Sequence, residues 1–214
     1  MAVTPITRDI FRRNAKGYRT RPISLNLYTL STELYGEFTR MGFIDRLNNI
    51  PQLGSIAVSK SLCKSRYDYV VLQWWMHSRA HDLVNPYLEF SYASTIRNQD
   101  VDPTLPIPAA HKNHTVMEYL QVLVMAYNVG HFYATFVSSR AMLLKLHSSA
   151  QVRTDFLALF GGDQAVLSVC NRVIDGNDYF HFHLLNSLLA LNACNQALYS
   201  VQVARWLILK YLEN

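Results

Sequence analysis

The sequence predicts an all-α fold, and three observations point there. Glycine and proline are scarce, 8 and 7 among 214 residues, and long runs pass without either, which favours helices over a turn-rich β architecture. Half of the residues are hydrophobic and 16% are charged, the composition of a chain that buries a core and not of a disordered one. Apolar residues also recur at intervals of three and four: Leu27, Leu30, Leu34, Phe38 and Met41 share one face of a helix. The length suits one sizeable core. A single domain over 1–214 is therefore expected, with a basic segment over 1–23 and a loop over 97–113.

The elements follow in order. The first apolar face predicts a helix from Leu27 to Met41, stopped by Gly42. Arg46 to Gly54 forms a short helix or turn broken at Pro51. From Tyr67 to Asn85 an aromatic-rich run without Gly or Pro predicts a long helix, continuing past Pro86 toward Ile96 with a kink. Asn98 to Ala110 holds Asp100, Asp102, Pro103, Pro106 and Pro108 and reads as a loop. A buried helix covers Thr115 to Tyr127 with Glu118 near its start, Gly130 ends or bends it, and another covers Phe132 to Leu146. Gly161-Gly162 separates two shorter helices, Asp175 to Asp178 is a turn, and a last helix runs from Phe180 to the end. That helix stops without a cap or tail, which suits one domain of a longer protein.

The formal net charge is +5. Much of it sits in Arg8, Arg12, Arg13, Lys16, Arg19 and Arg21, either a basic arm for nucleic acid or an acidic partner, or a solvated first helix and loop. Cys63, Cys170 and Cys194 form no CxxC pair, and their odd number argues against a disulfide framework and for a reducing cytoplasmic setting. The most apolar stretch, Leu184 to Leu212, is interrupted by Asn186, Asn192, Asn195, Gln196, Gln202 and Arg205, so it reads as buried helix and no membrane span is expected.

Three segments stand out: Arg46-Leu47-Asn48-Asn49-Ile50-Pro51-Gln52-Leu53-Gly54, Lys64-Ser65-Arg66-Tyr67-Asp68-Tyr69, and Val124-Met125-Ala126-Tyr127-Asn128-Val129-Gly130-His131. In order and spacing they resemble the deoxynucleoside-triphosphate triphosphohydrolase branch of the HD-domain superfamily, whose segments have the forms R-L-x-x-I-x-Q-L-G, H-x-R-F-E-H and L-L-H-D-I-G-H. The resemblance covers residues 46 to 131 and implies a compact HD-like helical bundle. It also implies that Gln52 and Leu53 line a sugar pocket, that Arg66 contacts phosphate, and that His131 matches the histidine after the glycine.

The departures fall on the metal donors. Where the family has histidine, histidine and aspartate ligands, this chain has Tyr69, Tyr127 and Asn128. A phenol stays protonated near neutral pH and an amide offers only a neutral carbonyl, so ordinary binding of Mn²⁺, Mg²⁺ or Fe²⁺ should be lost. The family's last ligand, an aspartate, has only Asp175 or Asp178 as candidates, in a context that also suits a turn and helix N-cap.

Other constellations weigh less. His77, His81 and Asp82 lie a helical turn apart, and with His111 and Asp175 they offer an alternative, rearranged metal site. His114 lies close behind. His181 and His183, spaced by two, point to different sides of a helix, where Phe180, Phe182 and the following leucines favour core packing. Trp74 and Trp75, with Tyr67, Tyr69 and Met76, read as core, and Tyr69 and Tyr127 could hydrogen-bond across the space a metal would fill.

The expected function is a catalytically inactive HD-like domain working by binding, as a regulatory, sensing or assembly module. A nucleotide or nucleic acid is its candidate ligand through Gln52, Leu53, Arg66 and His131. A protein partner or a second copy is its candidate assembly partner, and no cofactor is expected. The alternative is a nucleotide phosphohydrolase using the rearranged His/Asp site.

Overall fold

The computed structural model describes residues 4–14, 17–51, 65–84, 95–96 and 114–213. Among these the chain is a compact, mostly α-helical fold. A β-hairpin, β1 (Thr4–Asn14) with β2 (Gly17–Leu27), leads into α1 (Thr29–Arg40), α2 (Phe43–Asn49) and α3 (Arg66–Val84). A short antiparallel pair, β3 (Thr95–Ile96) with β4 (His114–Thr115), precedes α4 (Val116–Val129), α5 (Thr135–Ser148) and α6 (Ala150–Ala158). The chain then closes with α7 (Gln164–Asp175), α8 (Phe182–Ala193) and α9 (Tyr199–Glu213). No described helix is long and apolar enough to cross a membrane.

The hairpin replaces the helix or loop expected before residue 27. Ile23, Leu25 and Leu27 are buried while Ser24 and Asn26 are exposed, and across the ladder Ile6 is buried while Pro5 and Thr7 are exposed. That period of two buries one face of the ribbon against the helices, as a strand requires. Leu27, taken as helical from its spacing, is the last residue of this face. Arg8 fixes the ribbon's base. Its guanidinium bonds Asn48 Oδ1, lies 3.5 Å from Asp68 and covers the Tyr67 ring at 4.7 Å.

α4 is the central helix, contacting α1, α3, α8 and α9. Gln121 ties three elements together from it. Its amide donates to Asn26 O (2.9 Å), its carbonyl accepts from Ser31 and from Tyr28 N–H, and its backbone carbonyl accepts from Trp74 Nε1 (3.0 Å). Glu118, also buried, accepts from Leu30 N–H, so side chains of α4 satisfy amides at the start of α1 that lack intrahelical partners. In return, the α1 glutamates Glu33 and Glu37 accept from Ser200 N–H and Asn195 N–H (2.9 and 2.7 Å).

α1 ends as expected, with Gly42 at φ 73°, a left-handed conformation that disfavours a side chain. α2 ends before Pro51, and α3 opens on reciprocal bonds between Ser65 and Asp68 (3.0 and 3.1 Å), a capping-box arrangement. The expected final helix is two helices. Asn195 accepts from Ala197 N–H, and Gln196 donates to the Leu191 carbonyl at the end of α8, so local side-chain bonds displace the helix between Cys194 and Leu198. The proposed continuation past Pro86 and the loop over 97–113 fall almost wholly outside the described residues.

Candidate functional site

The three sequence segments meet where the C-terminus of α4 reaches the start of α3 and the end of α2. Pro51 bridges to Ser65, and Arg66 N–H donates to Ile50 O (2.7 Å). From the last turn of α2, the Arg46 guanidinium donates to the backbone carbonyls of Val129 and His131. A cation there satisfies orphan carbonyls and complements the negative end of the helix dipole. Gly130 lets α8 close on this end. A Cβ at Gly130 would lie 2.0 Å from His183 O and 2.4 Å from Ser187 N, while its N–H donates to Ser187 Oγ at 3.0 Å.

That close crossing brings His183 of α8 onto His131. The two imidazoles stack with centroids 4.0 Å apart and planes 10° from parallel, and both are buried. Tyr127 stands edge-on to His183 (4.8 Å) and to Tyr211 of α9 (5.5 Å). Its hydroxyl pairs with Tyr211, not with Tyr69, and burial followed by that neighbour pushes its pKa up to about 12. Tyr69 instead lies under the Arg66 guanidinium at 5.6 Å. Asn128 donates to Gln73 Oε1 (3.1 Å) and Val124 O (2.7 Å), while its Oδ1 is buried without a partner.

Among the described residues the site is cationic without a counter-charge. Arg66 is 9% exposed, its Nε finds no partner, and no described carboxylate forms an ion pair with it. Desolvation lowers its pKa. Burial drives the His131 pKa far down, helped by His183 and the Arg66 and Arg46 charges. Burial likewise pushes His183 down to about 4. Both imidazoles are therefore neutral near pH 7. His183 Nδ1 lies 2.8 Å from the Phe180 carbonyl, which can only accept, so Nδ1 carries the proton and Nε2 is a bare acceptor. His183 Nε2 and His131 Nδ1 are buried without partners. One guanidinium N–H and two imidazole nitrogens are thus left unused around the same charge.

Tyr211 separates this cluster from a surface cleft of about 540 Å³, lined by Arg172, Gly176 to His181, and Tyr211. Asp178 accepts from the His181 backbone N–H (3.1 Å) and from its Nδ1 (2.6 Å), ordering the turn before α8. Arg66 does not line the cleft.

Of the expected binding residues, Arg66 and His131 share this site, while Gln52 and Leu53 lie outside the described residues. Of the alternative metal set, His77 is partly buried on α3 with Nδ1 unpartnered. His81 and Asp82 occupy the last turn of α3 with side chains outside the described residues, and His111 lies wholly outside them. Asp175 ends α7 in an ion pair with Arg153 (2.7 Å). Among the described residues, no three His, Cys, Asp or Glu side chains are grouped to hold a metal ion. His183 and Tyr211 join the site without having been singled out for it. The two-residue spacing of His181 and His183 does separate a half-buried imidazole from a fully buried one.

The described residues thus form a mostly helical fold in which Arg66, His131 and His183 make a buried cationic cluster. Comparison with protein-family models, curated proteins and solved structures finds no match to the chain.

Proposed function

We propose that this chain is a degenerate HD-like binding module that holds an anionic, phosphoryl-bearing ligand such as a nucleotide at Arg66, and that it does not hydrolyse it. The observation that supports this reading is the buried Arg66 guanidinium with an unused N–H and no ion pair to a carboxylate among the described residues. An unpaired buried charge costs several kcal/mol, which a ligand phosphate offsets through short, charge-assisted hydrogen bonds. The neutral imidazoles suit the same ligand. His183 Nε2 accepts from a ligand hydroxyl or protonated phosphate, and His131 Nδ1 offers a further polar contact. Tyr127 pairs with Tyr211 and the Asn128 amide nitrogen donates to Gln73 and Val124, leaving Asn128 with a neutral, unpartnered Oδ1, so neither position offers the charged or imidazole donor that the resembled family uses for metal. Exposed Tyr133, Phe136, Val137 and Phe180 lend the module an apolar surface for a protein partner or second copy.

The test is a thermal-shift series with deoxynucleotides, ribonucleotides and pyrophosphate, run on the wild type and on Arg66→Met. A ligand at 100 times its Kd should stabilise the wild type by about 2.7 kcal/mol, and the variant should not respond. An unchanged shift in Arg66→Met, or no shift with any of them, would overturn the reading. Release of phosphate or triphosphate from a deoxynucleoside triphosphate in the presence of Mn²⁺ would overturn its non-hydrolytic part.

A further inference from the structure

We infer that the outer half of the β1–β2 hairpin is a nucleic-acid-binding arm, distinct from the Arg66 cluster. The charge of the whole chain is concentrated there. Residues 4–27 hold Arg8, Arg12, Arg13, Lys16, Arg19 and Arg21 against Asp9 alone, and the rest of the sequence is formally neutral, so the entire net charge of +5 belongs to this hairpin.

Register sharpens the point. The ladder sets Arg12 opposite Arg19 and Arg13 opposite Tyr18. Like charges at directly opposed positions destabilise a ribbon, so this pairing is unfavourable unless an anion lies across it. Directly paired residues share a face. Arg12, Arg19, Arg21 and Ile10 therefore occupy one side, and Phe11, Thr20, Arg13 and Tyr18 the other. Arg8, the one basic residue of the hairpin with described contacts, is engaged by Asn48, Asp68 and Tyr67 at the base. Beyond it, six residue pairs from Asp9↔Pro22 to Asn14↔Gly17 span roughly 20 Å.

The chemistry favours phosphodiester over other polyanions. Five of the six cations are arginine, whose planar fork suits bidentate phosphate contact better than a lysine point charge. Phe11 and Tyr18 share a face with Arg13, which matches base stacking alternating with phosphate contact along a single strand. Neither face is apolar along its length, so the arm lacks the wedge that an amphipathic membrane element buries.

The experiment measures fluorescence anisotropy of a labelled oligonucleotide of about 20 bases, single-stranded and as a duplex, over a salt series. The full chain is compared with Arg12→Gln/Arg13→Gln/Arg19→Gln/Arg21→Gln and with Phe11→Ala/Tyr18→Ala. The wild type should bind with a log–log salt slope of about −3, and the fourfold variant should lose that slope and about 100-fold in affinity. Its helical circular dichroism should be retained, because the substitutions lie outside the helices. Phe11→Ala/Tyr18→Ala should weaken the single strand more than the duplex. Absence of oligonucleotide binding at low salt, or unchanged binding by a folded fourfold variant, would overturn the inference. Equal affinity for polyglutamate or for phosphatidylserine vesicles would also overturn it, in favour of an acidic protein or a membrane.

Discussion

Acidification from pH 8 to pH 5 should destabilise this protein through two histidines. The His183 pKa lies at about 4 in the fold against 6.5 for a free imidazole, and His131 is lowered further. Because both folded values lie below the unfolded one, the unfolded chain takes up protons first as pH falls. Stability is therefore complete above pH 6.5 and is lost through the window below it. At pH 5 an unfolded histidine is almost fully protonated while both buried ones remain neutral, so each withdraws about 2 kcal/mol and the pair about 4. The carboxylates do not confuse this window. Arg40 and Arg153 hold Glu37 and Asp175 below the usual carboxylate range, so their contribution fades only at lower pH. His77, lowered by burial, adds in the same direction. Urea unfolding at several pH values should show the midpoint falling by about 2 M between pH 8 and 5 at a typical slope for a small domain. His183→Gln should remove about half of that dependence. A midpoint independent of pH, or a variant retaining the full dependence, would refute the assignment of neutral buried imidazoles.

Two substitutions test the packing that builds the site. Gly130→Ala drives a methyl into the α8 backbone at His183 and Ser187, where neither neighbour is a flexible side-chain end. It should destabilise by about 3 kcal/mol or leave no folded protein, read from the urea midpoint. Gln121→Leu removes the bonds to Asn26 O, Tyr28 N–H and the buried Ser31 hydroxyl, and should lower stability by about 2 kcal/mol with the unfolding slope unchanged.

Much of the helical frame could be read from the sequence, because local signals agreed with the fold. Gly42 closes α1 and the Gly161-Gly162 pair divides α6 from α7. The hairpin escaped for an identifiable reason. Ile23, Leu25 and Leu27 alternate at period two, but Leu27 also begins the helical spacing that runs through Leu30 and Leu34, and the flanking arginines obscured the opposing strand. The split between α8 and α9 escaped because apolar residues continue on both sides, and only the side-chain bonds of Asn195 and Gln196 reveal the break. Within the site, Arg66 and His131 stand out only through the family resemblance of their segments. His183 and Tyr211 do not, since they come from distant helices and reach the cluster only through the α4–α8 crossing at Gly130 and the packing of α9.

The two arginines of the site give the sharpest contrast between a structural and a binding role. Arg46 meets the carbonyls of Val129 and His131, which the C-terminus of α4 would otherwise leave without partners. Its charge is used by the fold. Arg66 is more buried yet keeps Nε unpartnered, with two neutral imidazoles and a tyrosine face for company. Replacing a buried charge with an apolar side chain of similar length is often neutral or stabilising by about 1–4 kcal/mol when nothing depends on the charge for folding. Arg66→Met should therefore leave the ligand-free protein at least as stable as the wild type while removing its response to phosphoryl ligands. Marked destabilisation of the ligand-free variant would instead give Arg66 the same kind of role as Arg46, and the case for a bound anion would fall with it.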